Sequence, residues 1–204
     1  MRRRLPLAPV LHFVGDTMAS MEAVRPRVGY TDLVNTPEDG RRYEIHEGEV
    51  FVVPSPLPRH QMVALAVYER LRAFAAASGG IALAAPLDIV FDEYDVIQPD
   101  VLFFRADRRH HVRPDAAIRA APDIVAEVLS PSTAATDRGR KMQTFARYGV
   151  SEVWIADPVG EQIEVYSLDG TSYRRAQVAG ADDAVRSILL PELTFVVAAV
   201  FRTV

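Results

Sequence analysis

The sequence predicts an α/β (α+β) protein: a mixed β-sheet flanked by helices, with additional β-hairpins. Three observations carry that expectation. The 204 residues suffice for one sizeable hydrophobic core and are few for two. The middle of the chain reads helix, strand, strand, strand, helix, strand. Within it, Ile124 to Leu129 is almost continuously apolar, as expected of a strand covered on both faces.

The elements follow in order. Residues 1–27 read as a flexible N-terminal tail, and 28–204 as a single domain. Met1-Arg-Arg-Arg has the positive flank of a signal peptide, but Pro9 and His12 interrupt the short apolar stretch behind it. Tyr43–His46 and Glu49–Val53 form a hairpin turned at Gly48 and ended by Pro54, Pro56 and Pro58. Residues 59–78 carry Met62, Val63, Leu65, Ala66, Leu71, Phe74 and Ala75 at helical spacing, closed by Gly79-Gly80. Strands are expected at Leu83–Phe91, at Val96–Phe104 with Pro99 inside it, and at Ile124–Leu129. A second helix spans 134–149 and ends at Gly149. Val153–Ala156 is the next strand, which makes a right-handed crossover if it lies parallel to Ile124–Leu129. Ile163–Leu168, Tyr173–Val178 and Val185–Leu190 add further strands, and residues 191–204 pack a terminal segment on the core.

Composition narrows the function classes. The chain is 49% hydrophobic and 25% charged, ordinary for a globular protein. It has no cysteine, so disulfides and thiolate metal sites are excluded and a cytoplasmic setting is expected. A formal net charge of -4 gives no support to broad coating of nucleic acid; any such binding must use a local patch. No apolar run reaches the roughly 18 residues a membrane helix needs.

Two carboxylates sit inside apolar strands: Asp100 in Ile97-Gln-Pro-Asp-Val-Leu-Phe-Phe104 and Glu127 in Asp123-Ile-Val-Ala-Glu-Val-Leu129. Burying unpaired carboxylates is expensive, and two close together repel. A divalent cation between them removes both costs, and hard oxygen ligands suit Mg2+ or Mn2+. Two solvent-facing acids at strand ends fit the same pattern. Lys141 is the single lysine in a chain that otherwise writes its cations as arginine. An ammonium is a compact, tunable point charge, unlike a guanidinium. Helical spacing places Lys141 on the face of Phe145 and Tyr148, toward the sheet or its margin. A surface lysine of no consequence is the other reading.

From about Val28 to Phe201 the chain resembles the Uma-two family of restriction-endonuclease-like proteins, in the PD-(D/E)XK nuclease superfamily. The matching stretches are Arg42-Tyr-Glu-Ile-His-Glu-Gly-Glu49, Pro54-Ser-Pro with Arg59-His-Gln61, Gln98-Pro-Asp100, and Asp123 to Thr133. Asp137 with Lys141, then Tyr148 to Pro158, complete the set. The resemblance implies a restriction endonuclease-like core and a metal-dependent endonuclease that hydrolyses phosphodiester bonds in DNA. Asp100, Glu127 and the Val128 carbonyl would hold Mg2+ or Mn2+. Lys141 would orient the attacking water or stabilise developing charge. The superfamily places this lysine two residues after the glutamate, where this chain has Leu129; Lys141 takes the migrated position on the following helix. Glu44 and His60 also match the pattern, Glu44 as a further catalytic or metal-binding acid. A hairpin surface acid and a polar residue at a helix start fit those two equally well.

Arg105, Arg108 and Arg109, followed by His110, His111 and Arg113, form a basic segment after the Asp100 strand. With Arg138 and Arg140 they are the candidate nucleic-acid contacts, although such runs are more often solvated loops. A homodimer is expected because duplex cleavage favours paired sites, with the apolar stretch Phe195–Phe201 as one possible interface and core packing as its other use. The competing function is a catalytically silent nuclease-fold protein that binds nucleic acid or a protein partner, since fold does not guarantee activity.

Overall fold

The computed structural model describes residues 26–36, 39–131, 134 and 137–202. Most of the expected tail, residues 1–25, lies outside the described residues.

The five residues Ile124–Val128 form β7, every one of them buried. β7 lies inside a six-stranded sheet ordered β10-β9-β8-β7-β6-β3. Its other members are β3 (Ile81–Ala84), β6 (Val101–Phe104), β8 (Glu152–Asp157), β9 (Gln162–Asp169) and β10 (Ser172–Ala179). Only the β7–β8 pair is parallel; the rest are antiparallel, so the sheet is mixed. The parallel pair encloses the second helical region, as the crossover pattern requires.

Alternation along β7 assigns its faces. Ile124, Ala126 and Val128 pack with Val63, Val67 and Leu71 of helix α2 (Pro58–Ser78). Val125 packs on the other face with Phe145 of helix α3 (Met142–Arg147). Proline at the first position starts α2 without loss of a helical hydrogen bond. Gly79, at φ 80°, ends it in the left-handed conformation that favours glycine. Met62 and Leu65, expected on its apolar stripe, are instead exposed.

Two strand expectations need correction. Leu83–Phe91 is not continuous: it divides into the end of β3 and a separate β4 (Ile89–Val90). Val96–Phe104 likewise divides into β5 (Val96–Ile97) and β6. In each case the chain leaves one sheet for another. β4 and β5 belong to a four-stranded antiparallel sheet ordered β2-β1-β5-β4, with β1 (Arg42–His46) and β2 (Glu49–Val53) as the expected hairpin. Pro86 and Pro99 lie in the two crossings.

The helix expected at 134–149 is also different. Among the described residues Ala134 is helical, and a π-helical turn at Asp137–Lys141 leads into α3. Of Val185–Leu190, only Val185 and Arg186 lie in a strand, β11 (Ala184–Arg186), paired with β12 (Thr194–Val196). Val197, Val200 and Phe201 then join the core beneath α2. The stretch Phe195–Phe201 therefore serves mainly as core, not as a free interface. Tyr30–Val34 and Ala198–Phe201 form the short helices α1 and α4.

Candidate active site

Both sheets feed one cavity of about 320 Å³. Its lining includes Arg42, Pro54, Leu57, His60, Gln98, Asp100, Glu127, Asp137 and Lys141. The sequence thus brings Asp100, Glu127, Lys141 and Glu44 together from four separate segments.

β6 and β7 run antiparallel, with Val101 opposite Ala126. One step outward, this register sets Asp100 beside Glu127. Asp100 lies at the mouth of the sheet, where its Oδ2 accepts the Val128 backbone N–H at 2.8 Å. The same oxygen stands 3.2 Å from His60 Nε2, which reaches across from the first turn of α2. Burial alone would lower the His60 pKa, but the hydrogen bond and charge of Asp100 more than offset it, and the net shift is upward.

Lys141 is buried among three carboxylates. Its Nζ lies 3.1 Å from Glu44, 3.2 Å from Glu127 and 3.6 Å from Asp137. The π turn puts Asp137 and Lys141 on one side of the same turn, and such widened turns recur at functional sites. Burial works against the ammonium, yet Glu127, Glu44, Asp137 and Asp100 together hold its pKa well above the ordinary lysine value. Glu127 is pushed the other way from a normal acid. Complete burial, reinforced by Asp100, Asp137 and Glu44, outweighs Lys141 and raises its pKa. Glu44 is also desolvated, but Lys141, His46 and the Gln98 N–H bring its pKa down. Its Oε1 accepts that N–H at 2.9 Å, and its Oε2 lies 3.3 Å from His46 Nε2.

One ammonium facing three carboxylates, with Asp100 close by, leaves an excess of negative charge. The donors are all oxygens, the chemistry that suits Mg2+ or Mn2+. Gln98 adds a buried Oε1 with no hydrogen-bond partner among the described residues. The residues therefore fit a hard divalent cation. Among the described residues no three ligating side chains already surround a common point, and Lys141 Nζ stands between Glu44 and Glu127.

The predicted nucleic-acid contacts divide. Arg105, Arg108 and Arg109 follow β6, whereas Asp100 precedes it; five residues of extended chain separate the ends by about 16 Å. The basic segment thus lies at the other end of β6 from Asp100. Arg105 and Arg108 instead clasp buried Asp123, at 3.2 and 2.8 Å. Arg138 makes a two-pronged pair with Glu164. Arg140 is exposed and stacks over Phe51, the cross-strand neighbour of Glu44.

Sequence reasoning gave no role to Asp137, His46, Gln98 or Arg42. The four-residue spacing of Asp137 and Lys141 was a usable signal. So was the period-two alternation of Arg42, Glu44 and His46 along β1.

A family model described as "Uma2: Putative restriction endonuclease" matches residues 30–199. Among solved structures, the fold is similar to that of a putative nuclease belonging to DUF820 from Anabaena variabilis ATCC 29413. The TM-score is 0.72 at 20% identity, covering 86% of this chain and 98% of the other. A comparison with curated proteins finds no match.

Proposed function

The chain belongs to the Uma2 family, and from that premise we propose that it is a metal-dependent endonuclease hydrolysing phosphodiester bonds in DNA. The observation that carries the reading is the surplus of buried carboxylate around one ammonium, at a cavity open to substrate. DNA as substrate rests on the family, and a cytoplasmic setting on the lack of cysteine.

Asp100, Glu127 and the Val128 carbonyl would hold Mg2+ or Mn2+. When bound, such a cation supplies a Lewis acid that polarises phosphate oxygens and makes water a stronger nucleophile. The protein's own groups do the rest. His60 and the Val128 N–H fix the Asp100 carboxylate. Glu44 and Asp137 keep Lys141 charged, so its ammonium can orient a water or meet the negative charge that develops on phosphate. Glu44, whose oxygens meet Lys141, His46 and the Gln98 N–H, would hold the ammonium in place.

The test is a cleavage assay on plasmid, duplex and single-stranded DNA and on RNA, with Mg2+ or Mn2+. Cleavage that needs the cation and is lost in Asp100→Asn and Glu127→Gln supports the reading. Binding without cleavage under every condition would make the chain a silent nuclease-fold protein.

A further inference from the structure

An anionic strand must approach a cavity lined by acids, in a chain whose net charge is already negative. Something at the mouth has to receive it. Most of the partly buried arginines are committed elsewhere. Arg105 and Arg108 neutralise Asp123, Arg138 neutralises Glu164, and Arg147 pairs with Glu47 and Asp95. Lys141 is committed to three carboxylates.

Arg42 differs. Among the described residues it is the one arginine that lines the cavity of Asp100, Glu127 and Lys141, and it also lines the adjoining depression that runs past Asp100 toward α2. Among the described residues its polar contact is a single hydrogen bond, donated at 3.0 Å to the backbone carbonyl of Pro54. A guanidinium has five N–H donors, so most of the fork remains available to a planar anion. The Pro54 bond fixes the side chain at the rim without neutralising it.

The position follows from β1. Arg42 and Glu44 are two residues apart on one strand, so they share a face at a spacing of about 7 Å. Glu44 touches Lys141. Arg42 therefore stands one pleat repeat outward from the ammonium. We propose that Arg42 binds a backbone phosphate of the substrate, next to the phosphate that is cut, and so sets the strand's position over the cavity. This assignment rests on the nuclease reading and deepens it.

The experiment measures binding of a short fluorescein-labelled DNA duplex across a range of salt concentrations. Ca2+ replaces Mg2+, because its looser coordination supplies charge without the near-octahedral geometry that Mg2+ demands. Arg42→Ala should bind about tenfold more weakly, the loss expected for one charged hydrogen-bonding partner. The slope of log affinity against log salt should also fall by about 0.9, the signature of one lost phosphate contact. Arg42→Lys should keep the wild-type slope and part of the affinity. Arg109→Ala, beyond the far end of β6, should change neither. Unaltered affinity and slope in Arg42→Ala overturns the assignment while leaving the nuclease reading intact. Weaker binding with an unaltered slope also overturns it, making Arg42 a support for the Pro54 turn. If the wild type binds neither this duplex nor its single strands, the nuclease reading falls and the assignment falls with it.

Discussion

A buried carboxylate stands at each end of β7, Asp123 just before it and Glu127 within it, and the two ends are built differently. At its start, Asp123 accepts the Arg105 backbone N–H and is clasped by the guanidinium groups of Arg105 and Arg108. Two cations face one acid there. At its end, Glu127 shares one ammonium with Glu44 and Asp137, and Asp100 adds its charge nearby. The first arrangement is complete and leaves nothing to bind. The second carries surplus negative charge on a cavity wall. Equal burial thus means opposite things, and the difference lies in compensation. A fully compensated ion pair serves the fold, whereas an under-compensated one marks a place for chemistry.

The largest expected effects are on cleavage. Asp100→Asn and Glu127→Gln should abolish it in a plasmid assay, whereas Asp123→Asn should leave the rate per folded molecule unchanged. Lys141→Ala should lose on the order of 10²–10³ in rate. Lys141→Arg should fail as well, because a planar guanidinium places its donors differently. Cleavage by Lys141→Ala at the wild-type rate would show that the ammonium only balances charge.

Stability separates the ends next. Three carboxylates surround Lys141 Nζ, so Lys141→Ala, which removes their shared cation, should cost about 3–5 kcal/mol in metal-free urea melts. Mn2+ should restore a large part of it. Asp123→Ala should lose about 1–3 kcal/mol, and Mn2+ should restore none. Equal responses to Mn2+ would erase the contrast between the two ends.

How much of this was legible in the sequence follows from the same contrast. Asp100 and Glu127 stood out because an acid inside an apolar run is costly. Lys141 stood out by rarity. Asp123 opens the same apolar run as Glu127, and no sequence pattern reveals that Arg105 and Arg108 fold back to neutralise it. For that reason Arg105 and Arg108 read as candidate phosphate contacts or a solvated loop, whereas they clasp Asp123. The β7–β8 crossover was readable from its apolar strands and intervening helical pattern. The passages from β3 to β4 and from β5 to β6 were not, because apolar residues continue unchanged when a chain moves from one sheet to another. Pro86 and Pro99 were the available hints. The π turn was hidden too, since Asp137 and Lys141 share the four-residue spacing of an ordinary helix.

A smaller effect tests whether Arg138 belongs with the structural arginines. Arg138, and after it Tyr166, hold the Glu164 pKa below its ordinary value despite burial. A depressed folded-state pKa contributes stability above the unfolded value near 4.5, lost as pH falls through the folded value. Arg138→Ala should therefore lose stability at neutral pH, but not at the acid end of that window. Arg138 is 37% exposed, so the difference should stay within about 1 kcal/mol. A pH-independent loss would assign Arg138 to packing rather than to charge.

The central claim is that the Glu127 end of β7, and not the Asp123 end, takes a divalent cation. Calorimetric titration of Mn2+ tests it directly. The wild type and Asp123→Asn should bind with the same stoichiometry and similar affinity, and Asp100→Asn and Glu127→Gln should each lose the main site. Undiminished Mn2+ binding in both Asp100→Asn and Glu127→Gln would contradict the account.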